Sequence, residues 1–442
     1  MPGNNPFVVH ARWIAPVIPE GTLLEDHSLV IEDDRIIDLL ASQDATEKYP
    51  EATVMSLNDH LLAPGLVNAH GHAAMTLLRG YADDRPLMDW LENYIWPLEA
   101  QVVDPRFVYD GTTLAVAEMI RTGTTCAADT YFFPAAVAKA FSDHKFRGQV
   151  CMPVLQFPSA YANDEDDYIH QGLAFRDDFV KHDPLITTAF APHSPYTVSD
   201  NGFEKILRYA EELPVPIHLH LHETISEVES AVAESGKRPF KRMSDMGLLS
   251  PNLQTIHMTQ LNDEEIEQLA VNNVHVAHCP ESNMKLASGF CPVDKLRAAG
   301  VNVAIGTDGA ASNNNLDMLE ELRTAMLLAK AVAGDPITPD AHEALAMATI
   351  NGARLLGLDD KIGSLEVGKL ADFIAVDMSA INLQPIYNPV SQLAYVATGQ
   401  NVSHVWINGE LVLEEGEYRH LDINRLRHVV AEWQTTINRI SL

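Results

Sequence analysis

Cysteine is scarce. Only Cys126, Cys151, Cys279 and Cys291 occur in 442 residues, and no two stand in a CxxC pair. That argues against a disulfide framework and leads us to expect a reduced cytoplasmic protein with free thiols. Basic residues are also few: 30 Lys and Arg face 61 Asp and Glu, a net charge of -31. Such a field repels phosphate backbones, so nucleic acid is not an expected partner, whereas a small neutral substrate is compatible with it. No apolar run approaches the roughly 20 residues a membrane helix needs. The opening MPGNNPFVVHARW has neither a basic region nor an apolar core, so no signal peptide is expected. No GxGxxG fingerprint follows the first strand, which weakens a doubly wound open sheet. Internal repeats and low-complexity tracts are absent as well.

What is present is an ordinary globular composition, 46% hydrophobic and 21% charged, long enough for one large barrel and a smaller domain. The first ~62 residues read as short strands. HSLVIEDDRIIDLL (27–40) is two apolar runs around an Asp33-Asp34 turn, a hairpin signal. The last ~75 residues return to this style, with ADFIAVDM (371–378) and HVWINGELVLEEGEY (404–418), where Asn408-Gly409 is a two-residue turn. The two ends are expected to pair into one small β-sandwich, followed by an amphipathic helix over 424–440.

The middle alternates strands and helices. Apolar strands are expected within 61–72, 124–130, 149–156, 185–192, 216–223, 253–260, 274–280 and 301–309, with helices such as 110–123 and 262–272 between them. Eight β-α units point to an α/β fold, a (β/α)8 TIM barrel. The expected domains are 1–62 and 366–442 for the β-sandwich with the C-terminal helix, and 63–365 for the barrel. The densest charge run, Asp164 to Asp167, reads as a solvated loop.

Polar residues gather at the strand ends, where barrel enzymes keep their chemistry. His70-Gly71-His72 closes the first strand; residues two apart share a face, so both imidazoles can point at one ion, and Gly71 leaves room between them. His218, His220 and His222 share a face of the fifth strand, His257 ends the sixth, and Asp308 ends the eighth in GTDG. Three histidines and one carboxylate make a nitrogen-oxygen site suited to one divalent ion: zinc first, iron(II) or manganese(II) otherwise. A position is left for water, whose pKa such an ion lowers from about 16 toward about 7.

The run PGLVNAHGHAAMTLLRGYADDRPLMDWLENYIWPLE (64–99) resembles the amidohydrolase superfamily. It is most similar to the branch of triazine hydrolases, guanine deaminase and 5'-methylthioadenosine/S-adenosylhomocysteine deaminases. APHSPYTVS (191–199), HLHLHET (218–224), HCPESNMKLASG (278–289), GTDGAASNNNLDM (306–318) and IGSLEVGKLADFIAVD (362–377) extend the match over nearly the whole chain. The resemblance implies a metal-dependent hydrolase. Its site is mononuclear, because the fourth strand ends in Ala191-Pro192-His193 without the Lys of binuclear relatives.

It also selects His220 as the fifth-strand ligand beside His70, His72 and Asp308. Glu223 becomes the proton donor to the substrate ring, and His257 the holder of the attacking oxygen or the developing oxyanion. Asp308 becomes the shuttle that takes a proton from the attacking water and passes it to the leaving amine. His218 then falls deeper in the core, and His222 near the pocket. Trp90, Glu99, His193 and Ser312, with Glu223, match positions lining a nucleoside pocket. The bland alternatives are a solvated helix for Trp90 and Glu99, a helix cap for Ser312, an orienting role for Glu223, and a further ligand in His257.

The expected function is deamination of 5'-methylthioadenosine, with adenosine or S-adenosylhomocysteine as slower substrates, since Arg147 and Arg176 form no carboxylate clamp. Deamination of a free purine base such as guanine or 8-oxoguanine, or triazine hydrolysis, is the alternative. A non-catalytic scaffold is a distant third. The expected partner is a small nucleoside, with no membrane and a homo-oligomeric (dimeric or tetrameric) state.

Overall fold

The computed structural model describes residues 6–179, 182–213 and 215–440. The first five residues of the stretch inspected for a leader lie outside them. Four strands come first: β1 (Phe7–Ile14), β2 (Leu24–Glu32), β3 (Arg35–Ala41) and β4 (Thr53–Pro64). Eight barrel strands follow: β5 (Leu66–Asn68), β6 (Thr124–Thr130), β7 (Arg147–Val154), β8 (Ile186–Pro192), β9 (Ile217–Leu221), β10 (Leu253–His257), β11 (His275–His278) and β12 (Val303–Ile305). The chain closes with β13 (Phe373–Asp377), β14 (Val402–Ile407), β15 (Glu410–Glu414), β16 (Glu417–Tyr418) and the helix Ile423–Ile440.

The outer eight strands form one mixed sheet in the order β16-β15-β14-β13-β4-β1-β2-β3. The ends of the chain therefore pair as expected, through the antiparallel β4–β13 ladder. The sheet curls back on itself, bringing Arg35 against Leu370. One face encloses a core in which Leu29, Ile36, Phe373 and Trp406 are fully buried, with the last two rings stacked. Both turns read from the sequence are there: Asp33-Asp34 joins β2 to β3, and Asn408-Gly409 joins β14 to β15. Asp33, Asn408 and Gly409 take the positive φ that such tight turns need.

The inner strands pair in parallel from β5 to β12 without interruption. Hydrogen bonds from Ala69 N to Ile305 O (2.9 Å) and from Asp308 N to His70 O (3.0 Å) join the last strand to the first at the mouth. Covered by side chains within and helices without, β6, β7 and β9 are buried at every residue.

Three local expectations change. The run 61–72 is not one strand: Leu61–Pro64 belongs to the outer sheet, and the chain enters the barrel past Gly65, where a Cβ would lie 2.0 Å from Thr125 Oγ1. The helix expected over 110–123 begins at Pro105, because Asp104 caps it by accepting from Phe107 N at 2.7 Å. The acidic run at 164–167 is not a loop but the start of the helix Glu165–Phe179. Asp164 accepts from Asp167 N (3.0 Å), and acidic side chains at a helix N-terminus complement its dipole.

The four cysteines are buried and unpaired. No helix among the described residues is long and apolar enough to cross a membrane. Arg147, at the barrel floor, is buried against Asp372, just before β13, in a two-pronged pair, Nε–Oδ2 2.7 Å and Nη2–Oδ1 3.0 Å. Arg147→Ala would leave that carboxylate buried and unpaired. It is expected to cost about 3–5 kcal/mol in chemical denaturation.

Candidate active site

The sequence motifs converge at the C-terminal mouth of the barrel. His70 and His72 lie just past β5 rather than within it, in a segment held between its neighbours by Thr130 N to Gly71 O at 2.9 Å. Their rings stand 4.8 Å apart and nearly perpendicular. Gly71 is not what makes room for them: a Cβ there would meet only ordinary contacts at 3.5 Å and beyond. The tight position is Gly306, where a Cβ would come within 2.7 Å of His70 N. His220, on β9, completes a cluster in which the ligand-capable atoms of all three histidines lie within 4.8 Å of one another. Asp308 Oδ1 lies 3.2 Å from His72 Nε2 and 3.5 Å from His70 Nε2. Asp308 and His257 both hold positive φ, 62° and 71°, a strained backbone of the kind that concentrates at functional sites.

The donor set fits a metal cation. His72 Nδ1 donates to Thr130 O (2.5 Å) and His220 Nδ1 to His193 O (2.8 Å), so both Nε2 atoms carry lone pairs directed into the cluster. His220 Nε2 lies 3.1 Å from His70 Nε2. Nitrogens sharing a zinc ion at about 2.0–2.1 Å stand roughly 3–4 Å apart, which matches. Burial holds His70 and His220 well below the ordinary histidine range, as neutral imidazoles. Burial also acts against a charged His72, but its hydrogen bond to Asp308 raises it to about 9. That pair seeks positive charge, and a cation between the same atoms satisfies it in a proton's place. Burial pushes the Asp308 carboxyl up, yet the two histidines more than reverse this and hold it well below the carboxylate range. Its other oxygen, Oδ2, accepts from Ser282 Oγ (2.6 Å) and Ser312 Oγ (2.8 Å).

One cavity joins this cluster to the other expected residues: His72, Trp90, Glu99, His193, His220, Glu223, His257, Asp308 and Ser312 all line it. Trp90 and Glu99 are not on a solvated helix. They are 5% and 9% exposed and face the cavity from either side of a π-helical turn at Leu91–Ile95. Tyr131 donates to Glu99 Oε1 at 2.5 Å, and burial raises the Glu99 carboxyl to about 7. Burial also raises Glu223, whose Oε2 stands 3.8 Å from His257 Nε2, and lowers His193 to about 4. His257 Nδ1 is 2.9 Å from Asn283 Oδ1, which turns Nε2 toward the cavity. His257 is not among the three clustered histidines. Ser312 caps no helix: Asp317 caps the one that follows.

One fifth-strand expectation needs correction. His222 does not line the cavity; its Nε2 accepts from Phe240 N at 3.0 Å, behind the strand. His218 lies in the core as expected, and there its Nε2 meets His70 Nδ1 at 2.8 Å. Sequence reasoning gave no role to Ser282 or Tyr131. Ser282 lies inside the HCPESNMK motif, and Tyr131 directly follows β6; a hydroxyl at a barrel-strand end was the available signal.

The amidohydrolase family model matches residues 61–412. A 5-methylthioadenosine/S-adenosylhomocysteine deaminase of Teredinibacter turnerae is 51% identical over 97% of both chains. The crystal structure of an adenosine deaminase from Xanthomonas campestris with bound zinc is 48% identical, superposes with a TM-score of 0.97, and covers 98% of each chain. Atrazine chlorohydrolase from Arthrobacter aurescens, 21% identical over 97% of this chain and all of its own, shares the fold with a TM-score of 0.89.

Proposed function

The chain belongs to the amidohydrolase family, and we propose that it deaminates adenosine-type nucleosides hydrolytically, with 5'-methylthioadenosine preferred. The observation that carries this reading is a single cavity. It brings a buried acid, Glu223, and the pair Glu99 and Trp90 to the same space as the histidine cluster.

His70, His72, His220 and Asp308 would hold one divalent ion, zinc by its donor set, and the ion supplies Lewis-acid activation of water. The protein's own groups then divide the proton traffic. Ionised Asp308 takes a proton from the attacking water while its oxygen adds to the amino-bearing ring carbon. His257 Nε2, facing the cavity, aligns that water by accepting from it. Attack breaks aromaticity and would load negative charge on the adjacent ring nitrogen. Glu223, whose carboxyl burial raises so that its protonated form extends toward neutral pH, delivers a proton there. Asp308 passes its proton to the amine, the C–N bond breaks, and ammonia leaves. The second proton of the water restores Glu223, and the product keeps a C=O and a ring N–H.

Glu99 accepts from the ribose hydroxyls as a carboxylate. Its carboxyl sits at about 7, so the accepting form is present above that pH and is lost below it. The KM for nucleoside is therefore expected to fall several-fold between pH 6 and pH 8. Glu99→Gln is expected to raise KM and flatten this profile; an unchanged pH dependence in that variant would remove Glu99 from ribose binding.

Beyond the sugar, the cavity is walled by Phe132, Leu155, Trp96 and Phe157, the last two with ring centroids 6.1 Å apart. Among the described residues, no Lys or Arg lines it. Arg147 is locked to Asp372, and Arg176 faces Asp177. A methylthio group suits such a wall, whereas a homocysteine carboxylate finds no cation. On the family resemblance we take the enzyme to act in the cytoplasm as a homo-oligomer.

Steady-state ammonia release by the zinc-loaded protein tests the reading. 5'-Methylthioadenosine should exceed adenosine and S-adenosylhomocysteine in kcat/KM, with guanine inert. Silence toward every adenosine derivative would overturn it, and preferential turnover of guanine would favour a free-base deaminase.

A further inference from the structure

The parallel pairing of β9 with β10 sets His218 directly opposite Gln254. Both side chains are 1% exposed, one layer below the mouth. A hydrogen-bonded chain runs through them. Gln254 Nε2 donates to Leu355 O at 2.6 Å, Gln254 Oε1 lies 2.9 Å from His218 Nδ1, and His218 Nε2 lies 2.8 Å from His70 Nδ1. Leu355 ends the helix Ile350–Leu355, so its carbonyl has no donor from a following turn.

The direction of every proton in this chain follows from its far end. A carbonyl cannot donate, so the Gln254 amide must present NH2 to Leu355 and oxygen to His218. That oxygen accepts, so His218 carries its proton on Nδ1 and a lone pair on Nε2. The lone pair accepts from His70, so His70 is protonated on Nδ1 and its Nε2 is left bare, facing His220 Nε2 at 3.1 Å. His72 and His220 reach the same tautomer through one backbone carbonyl each. His70, fully buried, has no carbonyl on its Nδ1 and reaches it through two side chains. The helix-end carbonyl thus decides which nitrogen of His70 is free.

We propose that His218 and Gln254 are positioning residues that act through His70, polarised by the Leu355 carbonyl so that His70 Nε2 is held as a metal-binding lone pair. This rests on the reading that the histidine cluster holds zinc. A ring filling core space would need neither this polarity nor these partners. Outer partners of metal-bound histidines typically contribute 10–100-fold in metal affinity.

Zinc transfer from the loaded enzyme to a chromophoric chelator tests it. His218→Phe keeps the ring volume and removes the acceptor. It is expected to weaken zinc retention by about 10–100-fold while the metal-free protein keeps its thermal midpoint. Gln254→Leu, which leaves His218 free to reverse, is expected to weaken retention by a smaller factor. His218→Gln, which returns an acceptor oxygen toward His70, should recover most of the loss. In the wild-type zinc enzyme, imidazole ¹⁵N resonances should report a proton on Nδ1 of both His70 and His218, a readout that needs no variant. Zinc retention unchanged in a folded His218→Phe, or a proton on Nε2 of His218 in the wild type, overturns the proposal while leaving the metal site standing. A wild-type protein that takes up no stoichiometric zinc overturns both.

Discussion

Asp308→Asn is expected to lower kcat for 5'-methylthioadenosine by about 10⁴-fold, the upper end of what a positioned acid-base group supplies. The carboxylate is asked to do two things in one turnover: take a proton from the attacking water and give it to the leaving amine. An amide does neither at neutral pH. The surroundings of Asp308 are arranged for the first task. His70 and His72 hold the carboxyl ionised against the effect of burial, and the hydroxyls of Ser282 and Ser312 fix Oδ2. The amide is nearly isosteric and keeps an oxygen for those hydroxyls, so the fold should survive. Ammonia release, zinc content and thermal midpoint measured together separate lost chemistry from lost structure. A folded Asp308→Asn enzyme with full turnover would contradict the assignment.

Glu223→Gln is the second large effect, an expected loss of about 10²–10⁴-fold in kcat. Zinc content should be unchanged, because Glu223 lies outside the clustered histidines. The carboxyl acts in its protonated form, and burial raises its pKa, which extends that form toward neutral pH. The wild-type rate should therefore fall on the alkaline side as Glu223 ionises, and the variant's residual rate should lack that limb. A role limited to orienting a neighbour would leave the alkaline limb in place.

Much of this site was legible in the sequence because its members sit at strand ends. His70, His72, His220, His257 and Asp308 each follow or close a short apolar run, and a parallel barrel brings all such ends to one mouth. Trp90 and Glu99 came from resemblance. They stand on either side of the irregular helix around Leu91–Ile95, and no period-3.6 pattern reports a π turn. His218 was read as core and is buried there, but alternation gives only a face. It shares that face with His220, and nothing local says that one ring looks at the cavity and the other at a glutamine on the next strand. The acidic run at 164–167 was misread for a related reason. Four carboxylates look like solvated chain until one of them is seen capping a helix.

By itself, the sequence determined the barrel, the pairing of the chain's two ends and a histidine-rich mouth with one aspartate, while the choice of His220 and the meaning of the missing fourth-strand lysine came from the resemblance. The first three are periodicities and residue types, which hydrophobic burial and metal preference act on directly. Only the tertiary structure decided which way each hydrogen bond points. The polarity that leaves His70 Nε2 bare originates at Leu355, on a helix packed beneath the strands. The two hydroxyls on Asp308 likewise come from separate segments. Proton direction in a buried network is fixed by the group that cannot donate, and its place is known only once the chain has folded around it.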